Sequence, residues 1–131
     1  MRVDDDYVEA VLDVVQAIPP GRVMTYGTVA DVVGDRLVAG GGRRRGGPRQ
    51  VGQALSRAGG GAPWWRVVNA AGSPPSSHLS RALVMLEREG SPLTGQGLRV
   101  ELRAALWWPD DEVAPALEDL PRDEPRPVDQ V

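Results

Sequence analysis

The sequence predicts a mainly α, winged-helix-like fold with a short β element. Three observations predict it. Four segments carry apolar residues at helical spacing. Two of these sit as a helix-turn-helix pair, the second with an outer face of small, polar and basic residues. The extended runs between them are few and short. A chain of 131 residues is one domain by size. We bound that domain at residues 1–108 and read residues 109–131 as an acidic, Pro-rich, flexible tail.

Residues 5–18 read as the first helix, because Val8, Val11, Leu12, Val15 and Ile18 form one apolar stripe. Asp4, Asp5 and Asp6 at its start complement the helix dipole, and Pro19-Pro20-Gly21 ends it. Arg22-Val23-Met24 is short and extended. Thr25 caps a second helix over about 26–33, with Val29, Val32 and Val33 inward and Gly34 as its stop. Residues 35–47 are rich in Gly and Arg and read as a mobile loop that packs no core.

Pro48 suits the first turn of a third helix, about 48–58. Its inward face is Val51, Ala54, Leu55 and Ala58; its outward face is Arg49, Gly52, Gln53 and Ser56. Gly59-Gly60-Gly61 is a linker. Trp65-Arg66-Val67-Val68 reads as a strand, and Asn69 to Gly72 as a turn. A loop through Ser76 and Ser77 leads to a helix near 78–89, with Leu79, Ala82, Leu83 and Leu86 inward and Gly90 after it. Leu98 to Leu102 reads as a last short strand.

Charge is unevenly spread. The net charge is -3, yet residues 1–13 carry a net of -4, residues 110–131 a net of -6, and residues 14–109 a net of +7. A basic body between acidic ends suits a polyanionic partner such as nucleic acid. The chain has no cysteine, which excludes disulfides, thiolate metal sites and thiol catalysis. A single histidine, His78, argues against zinc, and no cofactor is expected. No apolar run approaches the roughly 20 residues of a membrane span. The acidic start at Met1 lacks a signal peptide's apolar core. The expected location is the cytoplasm, with nucleoid association when bound to DNA.

Three blocks in order carry a resemblance to a known family. Ile18-Pro19-Pro20-Gly21-Arg22-Val23-Met24-Thr25-Tyr26-Gly27 resembles the segment that opens the DNA-binding domain of the O6-alkylguanine-DNA alkyltransferases. Arg49-Gln50-Val51-Gly52-Gln53-Ala54-Leu55 resembles their recognition helix. Pro63-Trp64-Trp65-Arg66-Val67-Val68-Asn69 resembles their Pro-Cys-His-Arg-Val signature. The blocks span roughly residues 5–103. Trp64 stands where the family has its nucleophilic cysteine, and an indole cannot replace a thiolate. Trp65 stands where the family has the histidine that helps activate it. The pattern resembles the alkyltransferase-like proteins, the branch with Trp for Cys, although that branch usually keeps the histidine.

The resemblance implies a non-enzymatic function. The chain would dock in the DNA minor groove, flip O6-alkylguanine out of the duplex without removing the alkyl group, and flag it for nucleotide excision repair. It implies roles by position. Arg49 would fill the gap left by the flipped nucleotide, its planar cation stacking on bases. Tyr26 would press on the phosphate beside that nucleotide. Gly52 would let the helix approach the groove closely, with Gln53 beside it. Trp64 would wall the pocket for the everted guanine, the Val67 carbonyl would read its amino group, and Ser76 and Ser77 would lie in the loop over the O6 substituent. His78 or Arg81 would place a positive group nearby. Arg43, Arg44 and Arg45, in an insert the family lacks, read as an arm on phosphates. The expected partners are double-stranded DNA with alkylated guanine and excision-repair proteins, and the expected state is a monomer.

The competing readings are plainer. Arg49 is otherwise a solvent-facing helix arginine, Tyr26 a half-buried core residue, Trp64 a core tryptophan, and Ser77 a helix cap. Trp65, on the opposite face of a strand from Trp64, reads as core. For the whole chain the alternative is a helix-turn-helix regulator of undamaged DNA, which would need no base pocket. Catalysis with another nucleophile lacks any Ser-His-acid set or metal cluster. A partner-binding helix over Val113, Leu117 and Leu120 is a further reading of the tail.

Overall fold

The computed structural model describes residues 3–109. Its fold is mainly α with two small sheets. Helix α1 (Asp5–Gln16) leads through a turn to strand β1 (Met24–Thr25) and helix α2 (Tyr26–Ala39); a loop then reaches helix α3 (Pro48–Ala58). Strand β2 (Val67–Val68), helix α4 (Leu79–Arg88), strands β3 (Leu93–Thr94) and β4 (Arg99–Val100) and the short helix α5 (Leu102–Ala105) complete it. β1 and β2 pair in parallel, Met24 with Val67 and Thr25 with Val68. β3 and β4 pair antiparallel, Leu93 with Val100 and Thr94 with Arg99.

The first three helices pack on one another around Val11, Val14, Val15, Val29, Val32, Val33, Val51 and Ala54, all nearly or fully buried. β-Branched valines are modest helix formers, so these helices rely on shared burial rather than on propensity. Their ends are capped. The Asp4 carboxylate accepts from the Tyr7 amide at 2.8 Å. Thr25 and Thr28 form a reciprocal capping box: each hydroxyl accepts from the other's amide, at 3.0 and 2.8 Å. Pro48 opens α3, and the Gly47 amide donates to Gln50 Oε1 at 2.9 Å. A second cluster, Val23, Val68, Leu86, Val100 and Ala105, packs α4 and the β elements together.

Several expected boundaries move. α1 ends at Gln16, two residues earlier than periodicity suggests. Gly34 does not stop the second helix: it is buried inside α2, which runs to Ala39. Its missing side chain leaves the space that the Arg44 side chain occupies. Half of the expected mobile loop at 35–47 is therefore helix or helix cap, with Gly42 N–H donating to the Leu37 carbonyl at 2.8 Å. The remainder is pinned. Arg44 pairs with Asp35, and Arg45 reaches Asp4 at 3.2 Å while lying over the Tyr7 ring. Gly46, at φ +84, presses against Tyr7 where a Cβ would collide with the ring.

Trp65 and Arg66 are not strand. Trp64–Arg66 forms a 3₁₀ turn, closed by Trp64 N–H to Ala62 and Arg66 N–H to Pro63, and only Val67–Val68 pair as β2. The expected strand at 98–102 shrinks to Arg99–Val100, and Leu102 opens α5 instead. β3 and α5 lack a periodic apolar run long enough to announce them. Trp107 N–H donates to the Val23 carbonyl at 2.9 Å, and Trp107 and Trp108 pack on the main core. Of the expected tail, Pro109 is described and buried; residues 110–131, with the reading of Val113, Leu117 and Leu120 as a helix, lie outside the described residues.

Candidate nucleic-acid interface

Helices α2 and α3 form one wall of an open cavity, and the Trp64–Arg66 turn with the start of α4 forms the other. The cavity measures about 820 Å³, within the roughly 300–1,000 Å³ of sites that hold a small organic group. Thr25, by capping α2, sets Tyr26 in its first turn. On α3, Arg49, Gly52 and Ser56 follow helical spacing along the same wall. Trp64 faces them, with its ring edge-on to Trp65 at 5.8 Å and tilted against His78 at 5.6 Å. Ser77, His78 and Arg81 complete the rim.

Of the residues singled out from sequence, this cavity brings together Tyr26, Arg49, Gly52, Trp64 and Ser77, with His78 and Arg81. Ser76 instead lines a neighbouring cleft of about 440 Å³, which shares Tyr26, Asn69 and Pro75 with the first. Gln53 is exposed on α3 and off the cavity wall, and Val67 is fully buried in β2. Arg43, Arg44 and Arg45 lie outside the cavity, where Arg44 and Arg45 face Asp35 and Asp4. Arg43 is exposed.

The wall is electrostatically one-sided. Arg49 and Arg81 face the cavity with His78, and among the described residues no carboxylate lines it. Arg49 is exposed and has no ion pair among the described residues. Tyr26 is half-buried, and that burial pushes its phenol above the usual range, so it is a neutral O–H donor at physiological pH. A Cβ at Gly52 would lie at 3.8 Å from the Tyr26 ring, an ordinary contact. The protein itself would tolerate alanine there.

Trp65 has a different task. Its indole N–H donates to Glu89 Oε2 at 3.0 Å, and Arg66 binds the same carboxylate through Nε at 2.9 Å. This matches the core role expected for Trp65, although a 3₁₀ turn rather than strand alternation separates it from Trp64. The turn expected from Asn69 to Gly72 is present: the Asn69 side chain accepts from the Ala71 and Ser73 amides at 2.9 Å and shapes the loop between the two cavities. The Asn-Ala-Ala-Gly run carried that turn signal. Thr25 and Leu55, legible as a helix cap and an inward residue, also line the cavity, as do Ala70 and Pro75, for which no local signal exists. Among the described residues no cluster of His, Cys, Asp or Glu could hold a metal ion, and no helix is long and apolar enough to cross a membrane.

A capped helix pair whose second helix presents an exposed basic face is the layout of a helix-turn-helix DNA-binding domain. Residues 6–91 match the family described as 6-O-methylguanine DNA methyltransferase, DNA binding domain. The chain belongs to that family, in its alkyltransferase-like branch. It is 36% identical over 111 residues to a DNA base-flipping protein of Escherichia coli (strain K12), covering 82% of this chain and 78% of the relative. It is 34% identical over 118 residues to alkyltransferase-like protein 1 of Schizosaccharomyces pombe, covering 83% and 100%. The crystal structure of S. pombe Atl1 in complex with damaged DNA containing O6-carboxymethylguanine superposes with a TM-score of 0.64 at 33% identity, over 83% of this chain and all of that one.

Proposed function

We propose that the protein binds O6-alkylguanine in duplex DNA, turns the damaged base into the cavity beside Trp64, and leaves the alkyl group in place. One observation carries this reading: Tyr26, Arg49, Gly52 and Trp64, from three separated sequence blocks, line one cavity from its two facing walls. α3 enters the minor groove with Gly52 at the closest approach and Gln53 beside it. Tyr26 presses on a phosphate, and Arg49 stacks in the gap that the base leaves. Flipping costs a few kcal/mol, least for a poorly paired damaged base, so recognition gains selectivity without chemistry.

No alkyl transfer follows. A chain without cysteine has no thiolate to attack the alkyl carbon, and Trp64 offers a flat apolar wall in its stead. The stable protein–DNA complex is then the output, and excision-repair proteins are the partners that would read it. Arg43 contacts phosphate from the insert; Arg44 and Arg45 exchange exposed carboxylates for phosphates on docking, an exchange made easy because exposed pairs are worth little. The protein acts as a monomer in the cytoplasm, on the nucleoid when bound.

The test is binding to matched duplexes with guanine or O6-methylguanine at one stated salt concentration. The reading expects tighter binding to the damaged duplex. Equal affinities would leave a regulator of undamaged DNA as the better description.

A further inference from the structure

The cavity and its neighbouring cleft form one face with two characters. The cavity is basic: Arg49 and Arg81 line it, neither has an ion pair among the described residues, and no described carboxylate offsets them. The cleft is apolar: Pro74, Pro75, Leu79 and Leu98 line it beside Tyr26, and Leu98 is 57% exposed there. Phosphates match the arginines but offer nothing to an exposed leucine. The whole face fits a peptide that carries both carboxylates and apolar side chains.

Such a peptide lies within the sequence. Residues 110–131 hold eight acids against two arginines, with Val113, Leu117 and Leu120 among them. Their point of attachment favours the encounter. Leu106 bridges Val23 in parallel, and Trp107 N–H donates to the Val23 carbonyl at 2.9 Å, so this segment runs beside β1 in the same direction. β1 leads into Thr25 and Tyr26 on the cavity wall, and its parallel partner β2 leads into Asn69 and Ala70 on the same cavity. The chain thus approaches Pro109 heading toward the cavity end of the molecule. The 22 residues beyond it can span up to roughly 70 Å, well past the roughly 13 Å radius of gyration of a domain this size.

We propose that the acidic segment 110–131 docks on this face of its own chain, with carboxylates at Arg49 and Arg81 and apolar residues in the cleft beside Leu98, and so competes with DNA. Tethering gives such a segment an effective concentration of the order of millimolar, enough for a weak contact to stay occupied. A duplex must displace it, so every DNA affinity is scaled down by the fraction of chains whose face is free. This rests on the reading of the cavity as the DNA-facing surface and adds a regulator to it.

The experiment uses the full chain. Because the protein has no cysteine, a nitroxide attached at Ala116→Cys is a unique label that leaves the charge of the segment intact. Amide resonances of Tyr26, Gly52 and Ser77 should broaden, and should sharpen again on adding duplex DNA. The same label in a chain with all eight acids of 110–131 changed to Asn or Gln should not broaden them. That neutralised chain, unlabelled, should bind guanine and O6-methylguanine duplexes about tenfold more tightly at low salt, as expected if the face is free about one-tenth of the time, and the gain should shrink as salt screens the contact. The ratio between the two duplexes should stay as in wild type. Absence of broadening at these amides, or broadening that survives neutralisation, overturns this inference even if affinity rises, since the gain is then general repulsion; the base-flipping reading would stand. Equal affinity for the two duplexes in both chains overturns the base-flipping reading instead, and leaves the contact of the acidic segment with the cavity intact.

Discussion

Arg66 and Glu89 form a two-point ion pair behind the cavity, with Nε to Oε1 at 2.9 Å and Nη2 to Oε2 at 2.5 Å. Their side chains are 13% and 12% exposed. Arg66 also donates through Nη1 to the Ile18 carbonyl at 2.7 Å. The pair thus ties the end of the first helical segment, the turn that carries Trp64, and the end of α4 into one unit.

Removing one partner would leave the other charged and nearly buried. Glu89→Gln should destabilise the fold by about 3 kcal/mol, because an uncompensated guanidinium remains. Urea unfolding measures this directly. A change below about 0.5 kcal/mol would mean that the pair behaves as an exposed one.

The same carboxylate predicts an acid response. Burial alone would raise Glu89, but hydrogen bonds from Arg66 and Trp65 outweigh it and hold it below the usual carboxylate range. A depressed folded value contributes stability in full above the unfolded glutamate value, about 4.3. That stability is lost as pH falls through the lower folded value. The melting temperature should therefore drop below about pH 5, and drop less steeply in Glu89→Gln. Asp4, lowered chiefly by the Tyr7 amide and also by Arg45, titrates in the same window and leaves a residual slope in that variant.

Arg49 is exposed and makes no ion pair among the described residues, so Arg49→Ala should leave the unfolding free energy within about 0.5 kcal/mol of wild type. Binding to the O6-methylguanine duplex should weaken about tenfold or more, the worth of one stacked side chain. Unchanged affinity would assign the gap-filling role elsewhere.

The insert arginines should act on every duplex alike. Replacing Arg43, Arg44 and Arg45 by alanine should reduce the slope of log affinity against log salt by about 0.9 for each phosphate that is no longer neutralised. The ratio between damaged and undamaged DNA should not change, since backbone binding carries no sequence information. A slope equal to that of wild type would make the insert a brace on α1 and α2 alone.

Some of the site was legible because its signals are local. The Thr25 cap, Pro48 at the start of α3, and the alternation of Val51 and Ala54 with Arg49 and Gln53 are each readable within a turn or two of helix. The path of residues 35–47 was not. Its glycines and arginines read as loop because their partners, Asp35, Asp4 and Tyr7, include residues some forty positions away. Trp64 and Trp65 are alike in sequence; one faces a cavity and the other an acid, and only the 3₁₀ turn separates their directions.

By itself, then, the amino-acid order determined the helices of the DNA-binding pair, the absence of a thiol, and the family resemblance, because propensity, capping and residue chemistry act over short chain distances. The tertiary structure decided that Tyr26, Arg49, Gly52 and Trp64 meet around one hollow, that His78 leans on Trp64, and that Glu89 answers Arg66. Those juxtapositions come from packing α3 and the β1–β2 pair on a shared valine core, and burial is non-directional: it fixes which faces turn inward, while shape complementarity between distant segments fixes what they enclose.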